Sequence, residues 1–183
     1  MKNLIYIFVI AVLTASCNMA DNAANMKSDA IKAHVQGFYD KVVNGHNPAA
    51  IDSFVTADFI NHNPDPGHSG HGAEDLKAGF AEFISAFPDI HVTINYLVVE
   101  GDKCVAHITM TGTNSGAMGA MPATNKQMSI DGIDVVTIKD GKATERWGIY
   151  NNMKMMADLG MMPPPGAPPA PPAEPMKTEE KKK

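Results

Sequence analysis

Glu145, Trp147, Ile149 and Asn151 stand at every second place along one segment, and Thr144, Arg146, Gly148 and Tyr150 fill the places between. In an extended chain this alternation puts each set on its own face. The first set joins a carboxylate, the single tryptophan of the chain and a primary amide. Glu145 can carry a proton, whereas Asn151 cannot ionise and can only hydrogen-bond. Glu145 is either a strand-surface carboxylate paired with a neighbouring lysine or arginine, or an acid–base group beside the indole. His107, set between Ala106 and Ile108, divides the same way, into a buried hydrogen-bonded histidine or a general base. His62, in Asn61-His62-Asn63-Pro64, is a loop histidine able to bond local backbone. His62, His68 and His71 are spaced H-x5-H-x2-H without a cysteine among them. This is not the helical His-x3-His of zinc enzymes, and no metal is expected. Asp131 and Asp134 are adequately explained by turn or edge roles, and Cys104, inside a strand pattern, by the packing of a small hydrophobe.

The elements that position these groups can be read from periodicity. Ile31, Val35, Phe38 and Val42 recur at helical spacing, which predicts an amphipathic helix from Met26 to Asn44. Asn47-Pro48 opens a short second helix to about Val55. A Gly/Pro loop follows from Asn61 to Gly72. Glu74 and Asp75 mark the first turn of a third helix, buried through Leu76, Phe80, Phe83 and Phe87 and stopped by Pro88. From Ile90 the period becomes two, through Val92, Ile94, Tyr96 and Val98. Lys103 to Thr113, Gln127 to Lys139 and Lys142 to Tyr150 are three more strands, with turns at Glu100-Gly101-Asp102 and Asp140-Gly141. Three helices followed by an antiparallel meander predict an α+β fold with the helices on one face of a curved sheet.

The two ends read differently. Lys2 and the apolar run Leu4 to Leu13 form a signal sequence, too short to span a bilayer as a helix. Thr14-Ala15-Ser16-Cys17 resembles a bacterial lipobox, so residues 1–16 are expected to be a lipoprotein signal peptide. Cys17 is then the lipidated first residue of a membrane-anchored protein in the cell envelope. Asn18 after the cysteine favours the outer membrane, with the domain exposed to the periplasm or the cell surface. Residues 17–25 are small and polar, as in a tether. Residues 163–183, PPPGAPPAPPAEP then MKTEEKKK, are expected to be an extended, disordered tail. The domain is therefore placed at 26–162. The chain has a formal charge of −5, and without Lys2 of the leader and the four lysines and three glutamates of the tail residues 17–162 are left at −7. An acidic domain with no basic cluster argues against nucleic acid as a partner, and none is expected.

Trp147, Leu159-Gly160, Phe59-Ile60-Asn61-His62-Asn63-Pro64, Gly112-Thr113-Asn114-Ser115-Gly116 and Gly132-Ile133-Asp134 occur in an order and spacing that resemble the SnoaL-like polyketide cyclases, or ester cyclases, of the NTF2-like superfamily. The resemblance covers roughly Met26 to Gly160. It implies a cone-shaped roll, with three N-terminal helices packed on a mainly antiparallel four-stranded sheet, enclosing a cavity. It implies acid–base chemistry on a small, apolar carbonyl compound, with no metal or other cofactor. It implies that the Trp147 face looks into the cavity, with His62 and Phe38 also lining it. Asn151, His107 and Glu145 are then the candidate catalytic positions. The family carries an acid four residues after the tryptophan, where this chain has Asn151. Two further functions fit the same residues: a binding module that holds a small apolar ligand without turnover, and an interaction lipoprotein that uses the roll to form a homodimer.

Overall fold

The computed structural model describes residues 22–119 and 121–162. The expected signal peptide, Cys17 and the proline-rich tail lie outside the described residues. Helix α1 covers residues 22–38 and widens into a π-helical turn, Tyr39–Val43. It starts four residues inside the segment expected to be a tether, because Ala23 and Ala24 are strong helix formers. A 3-10 helix, Pro48–Ser53, takes the place of the expected second helix. Strand β1 (Val55–Asn61), helix α2 (Ala73–Ala86) and strands β2 (His91–Glu100), β3 (Lys103–Thr113), β4 (Gln127–Lys139) and β5 (Lys142–Tyr150) follow, and helix α3 (Asn152–Asp158) closes the fold.

The sheet has five strands in the order β1-β5-β4-β3-β2. Four of them form the expected antiparallel meander, and β1 adds a fifth, parallel to β5. The sequence hides β1 because only Val55 and Phe59 are buried in it, with a register irregularity between Val55 and Ile60. That spacing is not the alternation by which a strand is recognised. The Asp140-Gly141 turn has positive φ at both residues, 49° and 76°, as a two-residue hairpin requires.

The core lies between the helices and one face of the sheet. Ile31, Val35, Tyr39 and Val42 of α1 and Leu76 of α2 join Val92, Cys104, Ala106, Ile108, Met128 and Ile130 of the strands. Burial pushes the Cys104 thiol up to about 11, which keeps it protonated and inert at neutral pH. The strand register then sorts the remaining side chains. One face, here the inner one, carries the rows Leu97–Ala106–Asp134–Gly148 and Ile94–Ile108–Gly132–Tyr150. The outer face carries Val98–Val105–Val135–Trp147 and Tyr96–His107–Ile133–Ile149.

Candidate functional site

The inner face holds a polar network built from three elements, buried at Asp134 and Tyr39 and partly buried at Arg146 and Tyr150. Asp134 of β4 is 2% exposed. Arg146 of β5 donates from Nε to Asp134 Oδ1 at 2.7 Å. The Tyr150 hydroxyl lies 2.9 Å from both carboxylate oxygens and also contacts the guanidinium of Arg146. Tyr39, the first residue of the π-helical turn, donates its hydroxyl to Asp134 Oδ2. The carboxylate therefore gathers two phenols and one guanidinium, which is how a buried charge is made tolerable.

Two glycines make the arrangement sterically feasible. A Cβ on Gly132 would overlap the Tyr150 ring, and one on Gly148 would overlap Arg146 and lie 2.8 Å from Asp134 Oδ1. Glycine weakens a strand interior, and its presence there marks a close approach of another group. Burial, followed by the nearby carboxylate of Asp134, holds the Tyr39 phenol well above its ordinary range. Burial likewise raises Tyr150, while the charge of Arg146 opposes the rise. Arg146 is raised by Asp134 and the two phenols against the effect of its own burial. The network is thus a carboxylate–guanidinium pair flanked by two phenols that stay protonated and remain hydrogen-bond donors.

Phe38, expected to line the pocket, stands beside this network. Its ring lies 5.8 Å from the Tyr39 ring, 5.8 Å from Phe54 and 5.6 Å from Phe80, all edge-on. An apolar aromatic wall therefore borders the polar end.

The other expected site residues lie elsewhere. Trp147, Glu145, Ile149 and Asn151 were expected to face the cavity, and the register puts their strand face outward instead. The reason is that Arg146 and Tyr150 occupy alternate places and bond to Asp134 beneath the helices, with Gly148 leaving room between them. His62 and Trp147 do come together, stacked with centroids 3.9 Å apart and planes 7° from parallel. Lys103 Nζ lies 5.5 Å from the centre of the Trp147 ring. Glu145 is the surface carboxylate of the two readings: its Oε2 is 3.1 Å from His62 Nε2 and its Oε1 is 4.0 Å from Lys103 Nζ. The His62 hydrogen bond, first among several contacts, lowers its pKa. His107 is half-buried on the same outer face, with Asn95 Nδ2 3.3 Å from its Nδ1 and the Tyr96 ring 4.9 Å away. His68 sits between Asp75 at 3.5 Å and Glu82 at 3.4 Å, apart from His62 on its tryptophan.

Asn151, expected at the position of the catalytic acid, is the exposed N-cap of α3, and its Oδ1 accepts from Lys154 N at 3.1 Å. Asp and Asn cap helices about equally well. An acid at this place would serve the same structural end, so its replacement by Asn151 removes no proton carrier from the inner face. Helix α3 ends at Asp158 with Leu159 as its C-cap, and Gly160 follows at φ 70° with a bond from Met161 N to Met156 O at 2.8 Å, the glycine-terminated stop that Leu159-Gly160 encodes.

Sequence reasoning gave Asp134 a turn or edge role, whereas it is buried within β4; it assigned no site role to Arg146 or Tyr150 and did not single out Tyr39. The usable signal was a pair of glycines, Gly132 and Gly148, inside strands that are otherwise rich in β-branched residues and aromatics.

Helices covering one side of a curved, mainly antiparallel sheet, with a buried acid, guanidinium and two phenols between the layers, define an α+β roll of the NTF2-like class. The chain belongs to the SnoaL-like polyketide cyclase family, whose model matches residues 33–159. TsrD from Streptomyces laurentii is similar at 26% identity and a TM-score of 0.64, over 75% of this chain and 97% of that one. A Bacillus cereus protein described as a polyketide cyclase is similar at 30% identity and a TM-score of 0.63, over 73% and 83%. IdmH from Streptomyces antibioticus, 23% identical with a TM-score of 0.63 over 71% and 98%, shares the fold. No curated protein matches the chain.

Proposed function

We propose that this protein is an envelope-anchored SnoaL-like protein that binds a small, largely apolar carbonyl compound at the inner face of its sheet and moves a proton on it. The observation that carries the proposal is the buried Asp134–Arg146–Tyr39–Tyr150 network beside the Phe38 aromatic cluster. An enolisable carbonyl needs a base for its α-proton and donors for the oxygen on which negative charge develops. Asp134 is the base, and its carboxylate takes the proton while the enolate forms. Tyr39 and Tyr150, whose hydroxyls donate to Asp134 before transfer, turn those hydrogen bonds to the enolate oxygen once Asp134 is protonated. Arg146 balances the charge of Asp134 before transfer and that of the enolate after it. The reaction needs no group beyond these side chains.

A second reading is favoured by one specific feature. Asp134 already accepts from three donors within the fold, and those bonds must be given up before its oxygens can meet a substrate proton. On that reading the same face holds a ligand without turnover.

The test is exchange of the α-protons of a bicyclic ketone such as 2-tetralone in deuterated water, followed by NMR, beside the binding of a fluorescent naphthalene probe. Catalysis predicts exchange that falls by ~100-fold or more in Asp134→Asn, the usual size of a general-base contribution, with probe binding retained. Probe binding without exchange selects the binding reading. Neither exchange nor binding removes both.

Anchoring is part of the proposal and rests on the apolar run that ends in Thr14-Ala15-Ser16-Cys17. Labelled palmitate is expected in the wild type and not in Cys17→Ala, and the labelled protein is expected in the outer-membrane fraction. Equal labelling of the two would remove the anchor.

A further inference from the structure

Contacts along helix α1 give its direction over the sheet. Where its π-helical turn ends, the Asn44 side chain donates to Val92 O at 3.0 Å and accepts from Val92 N at 2.7 Å, near the start of β2. Tyr39 reaches Asp134 at mid-sheet. The Cys104 thiol, raised by burial, is drawn back by the charge of Lys32, which therefore stands near it. Cys104 is one residue from the end of β3, so the sheet stops about 5 Å beyond it. From Lys32 the helix runs back ten residues to residue 22, or about 15 Å. Residues 22–30 are exposed apart from a half-buried Ser28, and Ile31 is the first buried side chain. The N-terminal part of α1 thus stands out past the sheet with no apolar face to bury. It overhangs the end where the β2–β3 and β4–β5 turns meet, joined by Ile138 N donating to Asp102 O at 2.8 Å. The 3-10 helix also ends there, with Lys142 Nζ donating to Asp52 O at 2.8 Å.

We infer that this turn end is a lipid-facing surface: the Gly101 and Gly141 turns and the overhang of α1 rest on the anionic headgroups of the membrane that holds Cys17. The inference depends on the anchor proposed above. Reach and charge select a lipid surface as the partner. Residues 18–21 separate Cys17 from the start of α1, and even fully extended they bridge only about 18 Å. The opposite end of the roll, at Thr113 and Gln127, lies a strand length further off, about 35 Å. The anchored end is also electrically distinct. Lys27, Lys32, Lys103, Lys139 and Lys142 stand there, all half-buried or exposed. Asp29, Asp52, Glu100, Asp102 and Asp140 match them in number. These charges cancel, so the −7 of residues 17–162 belongs to the remainder of the domain. An anionic surface attracts lysines held within a Debye length of it and repels net negative charge. It therefore favours the turn end and pushes the rest of the domain away.

The test uses the lipidated protein in phosphatidylglycerol vesicles that carry a quencher on their headgroups. A neutral fluorophore on Ser53→Cys marks the turn end, and one on Ser115→Cys marks the opposite end. Both serines are exposed, and Cys104 is buried, so the label goes to the new thiol. Quenching at position 53 is expected to exceed that at 115 by about threefold or more. High salt, or Lys139→Glu with Lys142→Glu, is expected to bring the two within roughly 1.5-fold. Lys139 and Lys142 are exposed, so the double variant should melt as the wild type does, which separates loss of contact from loss of fold. Equal quenching at the two positions, in protein shown by labelled palmitate to carry its lipid, overturns the inference and leaves the anchor standing. A double variant that keeps the wild-type ratio overturns it as well. Protein that takes up no palmitate removes the anchor and this surface together.

Discussion

On the inner face of the sheet, the row Leu97–Ala106–Asp134–Gly148 carries a carboxylate that is 2% exposed. One residue along each strand, on the outer face, the row Val98–Val105–Val135–Trp147 carries no charge and leaves Val98 half exposed. Each of these rows departs from the simple rule of polar outside and apolar inside. Each departure is informative because each carries a cost. A buried ion pair must overcome the desolvation of both ions, and is seldom kept for stability alone. Exposed apolar rows contribute nothing to the stability of the fold until something covers them. The inner face carries the network on which the proposed function rests, and the outer face carries apolar side chains left exposed.

The largest effect should come from breaking the inner network. Asp134→Ala leaves Arg146 buried without a counter-charge, and the fold should lose roughly 3–5 kcal/mol by chemical denaturation. A loss under about 1 kcal/mol would mean that Arg146 reaches water, and the contrast between the faces would weaken. Next is Gly132→Ala. The added Cβ takes the space of the Tyr150 ring, and overpacking of this kind costs about 1–3 kcal/mol. Its tyrosine should also leave Asp134, which the ring's NMR shifts would report. The alkaline limb of stability sharpens the same contrast. Tyr39 and Tyr150 hold their protons to higher pH in the fold than in the unfolded chain. Their contribution is intact below the ordinary phenol range near ~10 and is lost as pH rises through the folded values. Tyrosinate absorbance at 295 nm should therefore show these two phenols ionising only as the chain unfolds.

Smaller effects are expected beyond the network. Asn151→Ala removes the cap of α3 and should cost about 1 kcal/mol, whereas Asn151→Asp should change stability by only a few tenths and leave ketone exchange unaltered. A gain of exchange in Asn151→Asp would return the acid to the place the resemblance gave it. The smallest change should be Ile149→Ser, within about 0.5 kcal/mol, since the side chain is exposed. A larger loss would show that the outer face is already packed within one chain.

Much of the fold was legible in local sequence. The helical repeat of Ile31, Val35, Phe38 and Val42, the strand alternation from Ile90 and the Asp140-Gly141 turn all appear where their spacing put them, because each is decided by near neighbours. Strand β1 escaped because its pairing is with β5, about ninety residues away, and leaves no alternation behind. The candidate site was less legible. Asp134 looks like any acid near a strand end until Tyr39, 95 residues earlier, reaches it from a helix. Asn151 looks like a lost catalytic acid until the helix it caps is in view.

By itself the sequence separated the last strand into two sets, Glu145, Trp147, Ile149 and Asn151 against Thr144, Arg146, Gly148 and Tyr150, since a period of two is a property of the backbone. It did not determine which set turns inward. That depended on the opposite strand and on α1, where Asp134 and Tyr39 supply partners that make burying Arg146 less costly than exposing it, and where Gly132 and Gly148 leave room for the two large side chains. Such a balance of desolvation against distant hydrogen bonds exists only once the helices and the sheet have met.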